Sequence, residues 1–286
     1  MLQSLDLRTA SIERLMDLLA PFLGEYKSLL PAFAPGVHLY RGRVCRRPVR
    51  LGDISYPPLH LVRQLGRIND IGQSIFYAAT TRSVPFFELS CRPDETLALA
   101  VWKTTDRMTL NHIGYTADNS RRLLSRRALD QVYDFTAGLS RDDLGNSIRD
   151  YLAAQFSQVV PAGAEYRYKI SIAIARGLLA PSNVDGLLYP TIAMSGNADN
   201  VALKPTFVDS SCRFMSVEFL SITSESATTR AFRVIDSATH VALDGMLDWS
   251  GRALKWSASS ARDLVFRVEA DSWVAYDRHG NRVDPD

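Results

Sequence analysis

Apolar residues near the start of the chain recur at helical spacing. Behind Ser11, which has the side chain of a helix N-cap, the apolar positions are Ile12, Leu15, Met16, Leu19 and Leu23. This period predicts a helix over residues 11–20. Pro21 lacks an amide hydrogen and is expected to bend or end that helix, and further prolines place a boundary near residues 31–36.

Two later regions show contrasting patterns. Residues 117–157 are rich in Arg, Asp, Leu and Ala, and a helical stripe within them consists of Leu144, Ile148, Tyr151, Leu152 and Phe156. This stripe predicts a helical insert. From residue 213 onward, short apolar runs alternate with Ser, Thr, Asp and Gly, which predicts antiparallel strands at 215–223, 231–235, 264–270 and 273–276 and a turn at 279–281. The predicted fold class is therefore α+β.

Composition excludes several classes of protein. The chain has 286 residues, of which 46% are hydrophobic and 22% charged, so it can bury a core without disulfides. A net charge of +2 gives no overall field that favours nucleic acid or a membrane surface. No apolar run approaches the ~18–20 residues that span a bilayer, and the start of the chain does not resemble a signal peptide. We expect a cytoplasmic protein, or one delivered by a secretion route that needs no signal.

Common catalytic and metal-binding motifs are missing. The sequence has no GxGxxG, Walker phosphate loop, HExxH or GxSxG motif. Its three cysteines form no CxxC pair, and its five histidines lack ligand spacing, so we expect no metal.

Cations are concentrated locally. Residues 39–50 read LYRGRVCRRPVR and contain Arg41, Arg43, Arg46, Arg47 and Arg50. Planar guanidinium groups bind phosphate through two hydrogen bonds, so one interpretation is an oxyanion site. The alternative is a solvated basic loop, which is how most charge runs are used.

Three blocks in a fixed order resemble the RES-domain family, which is named for its Arg, Glu and Ser. They are LYR at 39–41; GRxNxxG at 66–72 with FYA at 76–78 and Glu88; and GLLYPT at 186–191 with NVAL at 200–203. The resemblance covers roughly residues 36–222. It implies a fold like the ADP-ribosyltransferase domains of bacterial toxins, with NAD bound in a cleft between two small β-sheets.

The resemblance also implies an activity. RES proteins cleave the nicotinamide–ribose bond of NAD with water or phosphate as acceptor, or transfer ADP-ribose to a protein, and many are toxins of Xre–RES toxin–antitoxin pairs. We therefore expect NAD as substrate and an Xre-type antitoxin or a protein target as partner, with oligomer formation left open. No direct nucleic-acid binding and no membrane contact are expected.

Residues in the matched blocks take on expected roles. Arg41 and Arg67 would clamp the diphosphate, and Glu88 would stabilise the positive charge that develops on the ribose. Tyr77 would stack on the nicotinamide ring. Thr191 stands where the family has its serine, and its hydroxyl would anchor the ribose or the amide. The other residues expected to bind NAD are Tyr40, Asn69, Tyr189 and Ser195, the last as an alternative source of the hydroxyl.

Three hypotheses remain open at this stage. The protein is an NAD-cleaving enzyme, a degenerate RES-like domain that binds NAD without cleaving it, or an interaction protein whose helical parts dock a partner. The domain organisation predicted with the first hypothesis is an N-terminal helical segment at 1–35, a RES-like core at 36–225 and a β-rich C-terminal extension at 226–286.

Overall fold

The fold is described from a computed structural model of the chain. The structure describes residues 5–26, 30–89, 92–115, 143–191, 198–225, 229–252, 263–269, 272–277 and 279–283. These residues form a large mixed sheet and a few helices, so the predicted α+β class is confirmed.

Five α-helices and thirteen strands make up the described fold. The helices are α1 (Ile12–Glu25), α2 (Val84–Glu88), α3 (Asp143–Phe156), α4 (Tyr168–Leu179) and α5 (Pro205–Ser211). The strands are β1 (Ala32–Phe33), β2 (His38–Val44), β3 (Phe76–Ala79), β4 (Thr96–Thr104), β5 (Met108–His112), β6 (Gly186–Pro190), β7 (Asp199–Leu203), β8 (Cys212–Glu225), β9 (Thr229–Val241), β10 (Leu247–Trp249), β11 (Asp263–Glu269), β12 (Ser272–Asp277) and β13 (Arg282–Val283). Short 3-10 helices lie at Leu51–Ile54, Leu59–Leu61 and Glu165–Arg167.

The strands follow one hydrogen-bonded path. Their order is β1-β5-β6-β7-β3-β2-β4-β8-β9-β11-β12-β13, and β10 pairs with β9 at the side of this path. The β5–β6 pair is parallel, and the other pairs are antiparallel. The strands beyond residue 226 thus continue the sheet of the core through β8.

The sheet is nearly divided between β2 and β3. Only one residue pair, Tyr40 opposite Ala79, joins these two strands. In contrast, β2 pairs with β4 and β3 pairs with β7 along their whole lengths. The two separate sheets that the resemblance implies are therefore one path of strands with a weak junction.

The first helix runs further than predicted. Its start is confirmed, because the Ser11 side chain accepts a hydrogen bond from the Arg14 amide at 3.1 Å. Of the two alternatives for Pro21, an end of the helix is wrong, because Pro21 lies inside α1 and the helix continues to Glu25. Beyond the proline, Leu23 packs against Gly177 of α4, and this contact helps to hold the last turn despite the missing amide hydrogen.

Other sequence predictions hold within the described residues. The second helical stripe lies on α3, where Ile148, Leu152 and Phe156 are buried against α1 and α4. The earlier part of the predicted insert, 117–142, lies outside the described residues. The C-terminal strands are confirmed in β8, β9, β11 and β12, and the predicted turn joins β12 to β13 with Gly280 at a φ of 82°. No helix within the described ranges combines the length and apolar character needed to cross a bilayer.

Candidate functional site

A cavity of about 580 Å³ opens at the weak junction between β2 and β3. We call it the cleft. Strands β2 and β3 and helix α2 form most of its wall, and β6 and β7 contribute one residue each. Six of the nine residues predicted from the sequence line it, namely Tyr40, Arg41, Arg67, Tyr77, Glu88 and Tyr189.

Glu88 reaches the cleft from the end of α2. This helix has Pro85 in its first turn, where a missing amide hydrogen costs nothing, and its Phe86 and Phe87 side chains are buried. Gly42 of β2 lets the helix lie close, because a Cβ at that position would stand 2.7 Å from Pro85 Cβ. The buried rings thus fix a short helix whose final carboxylate is exposed in the cleft.

Two neutral donors hold the Glu88 carboxylate. The Thr191 hydroxyl donates a hydrogen bond to Oε1, and Asn200 Nδ2 donates to the same oxygen at 2.7 Å. Oε2 accepts no hydrogen bond from the described residues. The two hydrogen bonds to Oε1 fix the position of the group, while the other oxygen is available to a ligand.

The position of Thr191 differs from the expectation. Its side chain has no exposed surface, and it is not among the residues that line the cleft. Its backbone amide donates to the Ala198 carbonyl at 2.9 Å, which ties the end of β6 to the start of β7. The threonine lies behind Glu88 because β6 continues as a buried strand to that point.

Arg41 is a fixed cation on β2. Its Nε donates to the Ser55 carbonyl at 2.9 Å, one terminal nitrogen donates to the Tyr77 carbonyl at 2.7 Å, and the guanidinium lies 5.4 Å from the centre of the Phe76 ring. Desolvation by burial, with a smaller effect of Arg43, lowers its pKa to about 10, so it keeps its charge at neutral pH. It presents a preorganised positive charge to the cleft.

Arg67 also serves the wall of the cleft. Its guanidinium donates to the backbone carbonyls of Phe156 and Gln158, just where α3 ends. The rings of Phe156 and Tyr168 lie 5.9 and 5.6 Å from it. Arg67 therefore uses some of its donors to hold the end of α3 and not to bind a diphosphate. Its side chain still lines the cleft.

Tyr77 and Asn69 form a bonded pair. The Tyr77 hydroxyl donates to Asn69 Oδ1 at 2.9 Å and accepts from the Ile68 amide at 3.0 Å, so its ring is fixed at the cleft wall. Asn69 itself is buried and donates to the carbonyls of Gln64 and Asp70. Asn69 is therefore not among the residues that line the cleft, and its polar atoms hold the loop that precedes β3.

Tyr77 and Tyr189 keep their phenolic protons at neutral pH. Burial raises the pKa of Tyr77, and burial with nearby Tyr77 and Glu88 raises that of Tyr189. Tyr40 and Tyr189 are both buried apart from their surface in the cleft, and the Tyr189 ring packs edge-on against Phe156 at 5.4 Å. Ser195 lies outside the described residues.

Asn200 and Arg43 belong to the site, but the sequence did not predict them as site residues. Asn200 stands in the NVAL block that carries the resemblance, but its bond to Glu88 depends on the pairing of β6 with β7. Arg43 was noticed as part of the basic run, and the two-residue period of a strand places it on the same face of β2 as Arg41. The sequence does not show that this face borders a cleft, which the structure does.

No family model matches the chain, and no curated protein matches it either. Among the described residues, no group of three or more His, Cys, Asp or Glu side chains is placed to hold a metal ion.

Proposed function

We propose that the protein cleaves the nicotinamide–ribose bond of NAD, as a RES-like enzyme with an ADP-ribosyltransferase-like fold. In hydrolysis the bond between ribose C1′ and the nicotinamide nitrogen breaks, and its electron pair neutralises the pyridinium. A water oxygen bonds to C1′ and releases a proton. With phosphate or a protein side chain as acceptor, that group takes the place of water.

The arrangement of Glu88 carries the proposal. Cleavage develops positive charge on the ribose, and a carboxylate held in place before the reaction stabilises that charge without having to reorganise. Thr191 and Asn200 hold one oxygen of Glu88, and the carboxylate borders the cleft. Two neutral donors on a single oxygen fix the position of a carboxylate without neutralising it, as a group that stabilises positive charge requires.

The other walls of the cleft support the same substrate. Arg41 and Arg67 bring two positive charges to one space, which suits a diphosphate, and tyrosine rings offer flat surfaces to a nicotinamide. Its volume of about 580 Å³ lies in the range of small-molecule sites, roughly 300–1,000 Å³.

The weak β2–β3 junction supports the proposed fold. An ADP-ribosyltransferase-like domain needs a cleft between two halves of β structure, and here the cleft opens where one residue pair joins the halves. An enzyme of this kind would deplete NAD in cells, so toxicity, with an Xre-type antitoxin or a protein target as partner, stays part of the proposal.

Incubation with NAD and identification of the products test the proposal. Nicotinamide with ADP-ribose indicates hydrolysis, nicotinamide with ADP-ribose phosphate indicates phosphorolysis, and a modified protein indicates transfer. Glu88→Gln keeps the shape of the side chain and removes its charge, so we expect the rate to fall ~100-fold or more.

Glu13→Gln is the matched control. Glu13 lies on the outer face of α1, paired with Arg176, and its side chain is 73% exposed. We expect wild-type turnover from this variant. If wild type releases no nicotinamide but binds NAD, the protein is a binding module, and an unchanged rate for Glu88→Gln would contradict the proposed site.

A further inference from the structure

A second cavity adjoins the cleft. It also has a volume of about 580 Å³, and Arg41 and Arg43 line both cavities. A pair of cations between two cavities suits a ligand with an anionic centre and a larger group at each end.

Two distant parts of the chain build the wall of this second cavity. One is the 3-10 helix Leu51–Ile54 with Arg50 before it, and the other is the turn between β9 and β10, which contains Asp244 and Gly245. The Leu51 amide donates to the Gly245 carbonyl at 3.0 Å. The C-terminal extension is thus part of the wall, in contact with the segment that follows β2.

The second cavity has a mixed chemical character. Pro57, Pro58 and Leu61 give it an apolar side, which fits the flat face of a purine. Asp53 and Asp244 contribute carboxylates, the group that often accepts hydrogen bonds from ribose hydroxyls. The Asp53 carboxylate already accepts the Val49 and Arg50 amides at 3.0 and 2.9 Å, which favours Asp244 as the acceptor for a ligand. Arg50 adds an exposed cation.

We propose that the second cavity binds the adenosine half of a dinucleotide. The diphosphate then lies at Arg41 and Arg43, and the nicotinamide ribose lies beside Glu88 in the cleft. The identity of the ligand rests on the proposed function, but the binding of an adenine nucleotide does not depend on catalysis. The proposal gives the C-terminal extension a direct part in recognising the ligand.

Binding of AMP, measured by calorimetry, tests the site directly. A Cβ at Gly52 meets no atom within 4 Å, so Gly52→Phe places a ring in the open space of the cavity. We expect this change to weaken AMP binding at least tenfold. Gly24→Phe is the control, because Gly24 is also surrounded by open space but lies on α1, away from both cavities.

A second pair of variants avoids any effect of the bulky ring on folding. Arg50→Glu reverses an exposed charge at the cavity and is expected to weaken AMP binding several-fold, whereas Arg46→Glu reverses an exposed charge in the same basic segment and is expected to leave it unchanged. The proposal would be overturned if wild type did not bind AMP. It would also be overturned if Gly52→Phe and Arg50→Glu both bound AMP as tightly as wild type.

Nicotinamide mononucleotide separates this inference from the proposed function. It lacks the adenosine half, so Gly52→Phe should raise the KM for NAD and leave the KM for the mononucleotide unchanged. If AMP binds as expected and neither compound is cleaved, the proposed function fails and the adenosine site stands. If NAD is cleaved with the same KM by wild type and Gly52→Phe, the adenosine site fails and the proposed function stands.

Discussion

The hydroxyl of Thr191 donates a hydrogen bond to Glu88 Oε1 from a residue that has no exposed surface. Thr191 stands at the position where the resemblance to the RES family places a serine. A hydroxyl here holds the carboxylate, and either residue type can supply it. The extra methyl group of threonine is buried with the rest of the side chain and does not narrow the cleft.

Thr191→Val should lower kcat tenfold or more with little change in KM. Valine has the size of threonine but lacks the donor, and a hydrogen bond to a charged group contributes about 1.5–3 kcal/mol. Thr191→Ser keeps the donor and should retain most of the turnover. Steady-state kinetics with NAD measure both effects.

The double variant shows whether Thr191 acts through Glu88. If it does, Thr191→Val should have little further effect once Glu88→Gln is present. Equal losses of rate in the two backgrounds would mean that Thr191 has only a structural part. Equal turnover by wild type, Thr191→Ser and Thr191→Val would show that the hydroxyl of residue 191 has no part in the reaction.

Asn200→Asp should reduce turnover strongly. Asn200 Nδ2 lies 2.7 Å from Glu88 Oε1, so the substitution replaces a donor with a second carboxylate and creates like-charge repulsion. We expect a loss of kcat of tenfold or more, larger near neutral pH than in acid. Asn281→Asp, in the exposed turn before β13, is the control and should be neutral. Wild-type kcat for Asn200→Asp would show that the amide does not position Glu88.

Gly42→Ala tests the close packing of α2 on β2. An added Cβ would lie 2.6 Å from Leu89 Cδ1 and 2.7 Å from Pro85 Cβ, so the helix that carries Glu88 must shift. Overpacking of this kind costs about 1–3 kcal/mol of unfolding free energy, and we expect kcat to fall with it. Urea denaturation and kinetics measure the two effects. Gly24→Ala is the control at an open position and should keep both its kcat and its stability. Normal kcat and normal stability in Gly42→Ala would mean that α2 accommodates the methyl group.

The sequence predicts what local patterns determine. The stripe of apolar residues behind Ser11 predicts α1, and the alternation after residue 213 predicts the C-terminal strands, because period and burial are local properties. The end of α1 is not predictable in this way. It depends on the contact of Leu23 with Gly177, which lies on another helix.

The site is only partly predictable for the same reason. The matched blocks select six residues that line the cleft, but a block does not show whether a polar atom faces a ligand or another part of the chain. Asn69 folds its own loop and Thr191 holds Glu88, and both contacts depend on how the strands pair. The wall of the second cavity contains the hydrogen bond between Leu51 and Gly245, two residues that are far apart in the sequence and that no local pattern connects.

In the variant Arg41→Lys, ligand affinity and folding stability should change in opposite directions as the pH rises. The guanidinium of Arg41 makes hydrogen bonds to both the Ser55 and Tyr77 carbonyls, which one ammonium group cannot reproduce in the same geometry. Burial lowers the pKa of Arg41 to about 10, and the same burial should lower the pKa of a lysine at this position toward the neutral range. Wild type therefore keeps its cation up to about pH 10, and the variant loses it earlier.

A rise in pH should increase the free energy of unfolding of Arg41→Lys and decrease its affinity for the ligand. A buried cation has a lower pKa in the folded than in the unfolded state, so the unfolded chain binds more protons above the folded pKa and the free energy of unfolding rises with pH. Ligand affinity falls over the same range, because the charge that attracts the diphosphate is lost. We expect Arg41→Lys to bind ADP-ribose progressively less well from pH 7 to 9 while it resists urea better, whereas wild type and the exposed control Arg46→Lys change little. Parallel pH profiles for all three proteins would show that Arg41 does not supply the charge that binds the ligand.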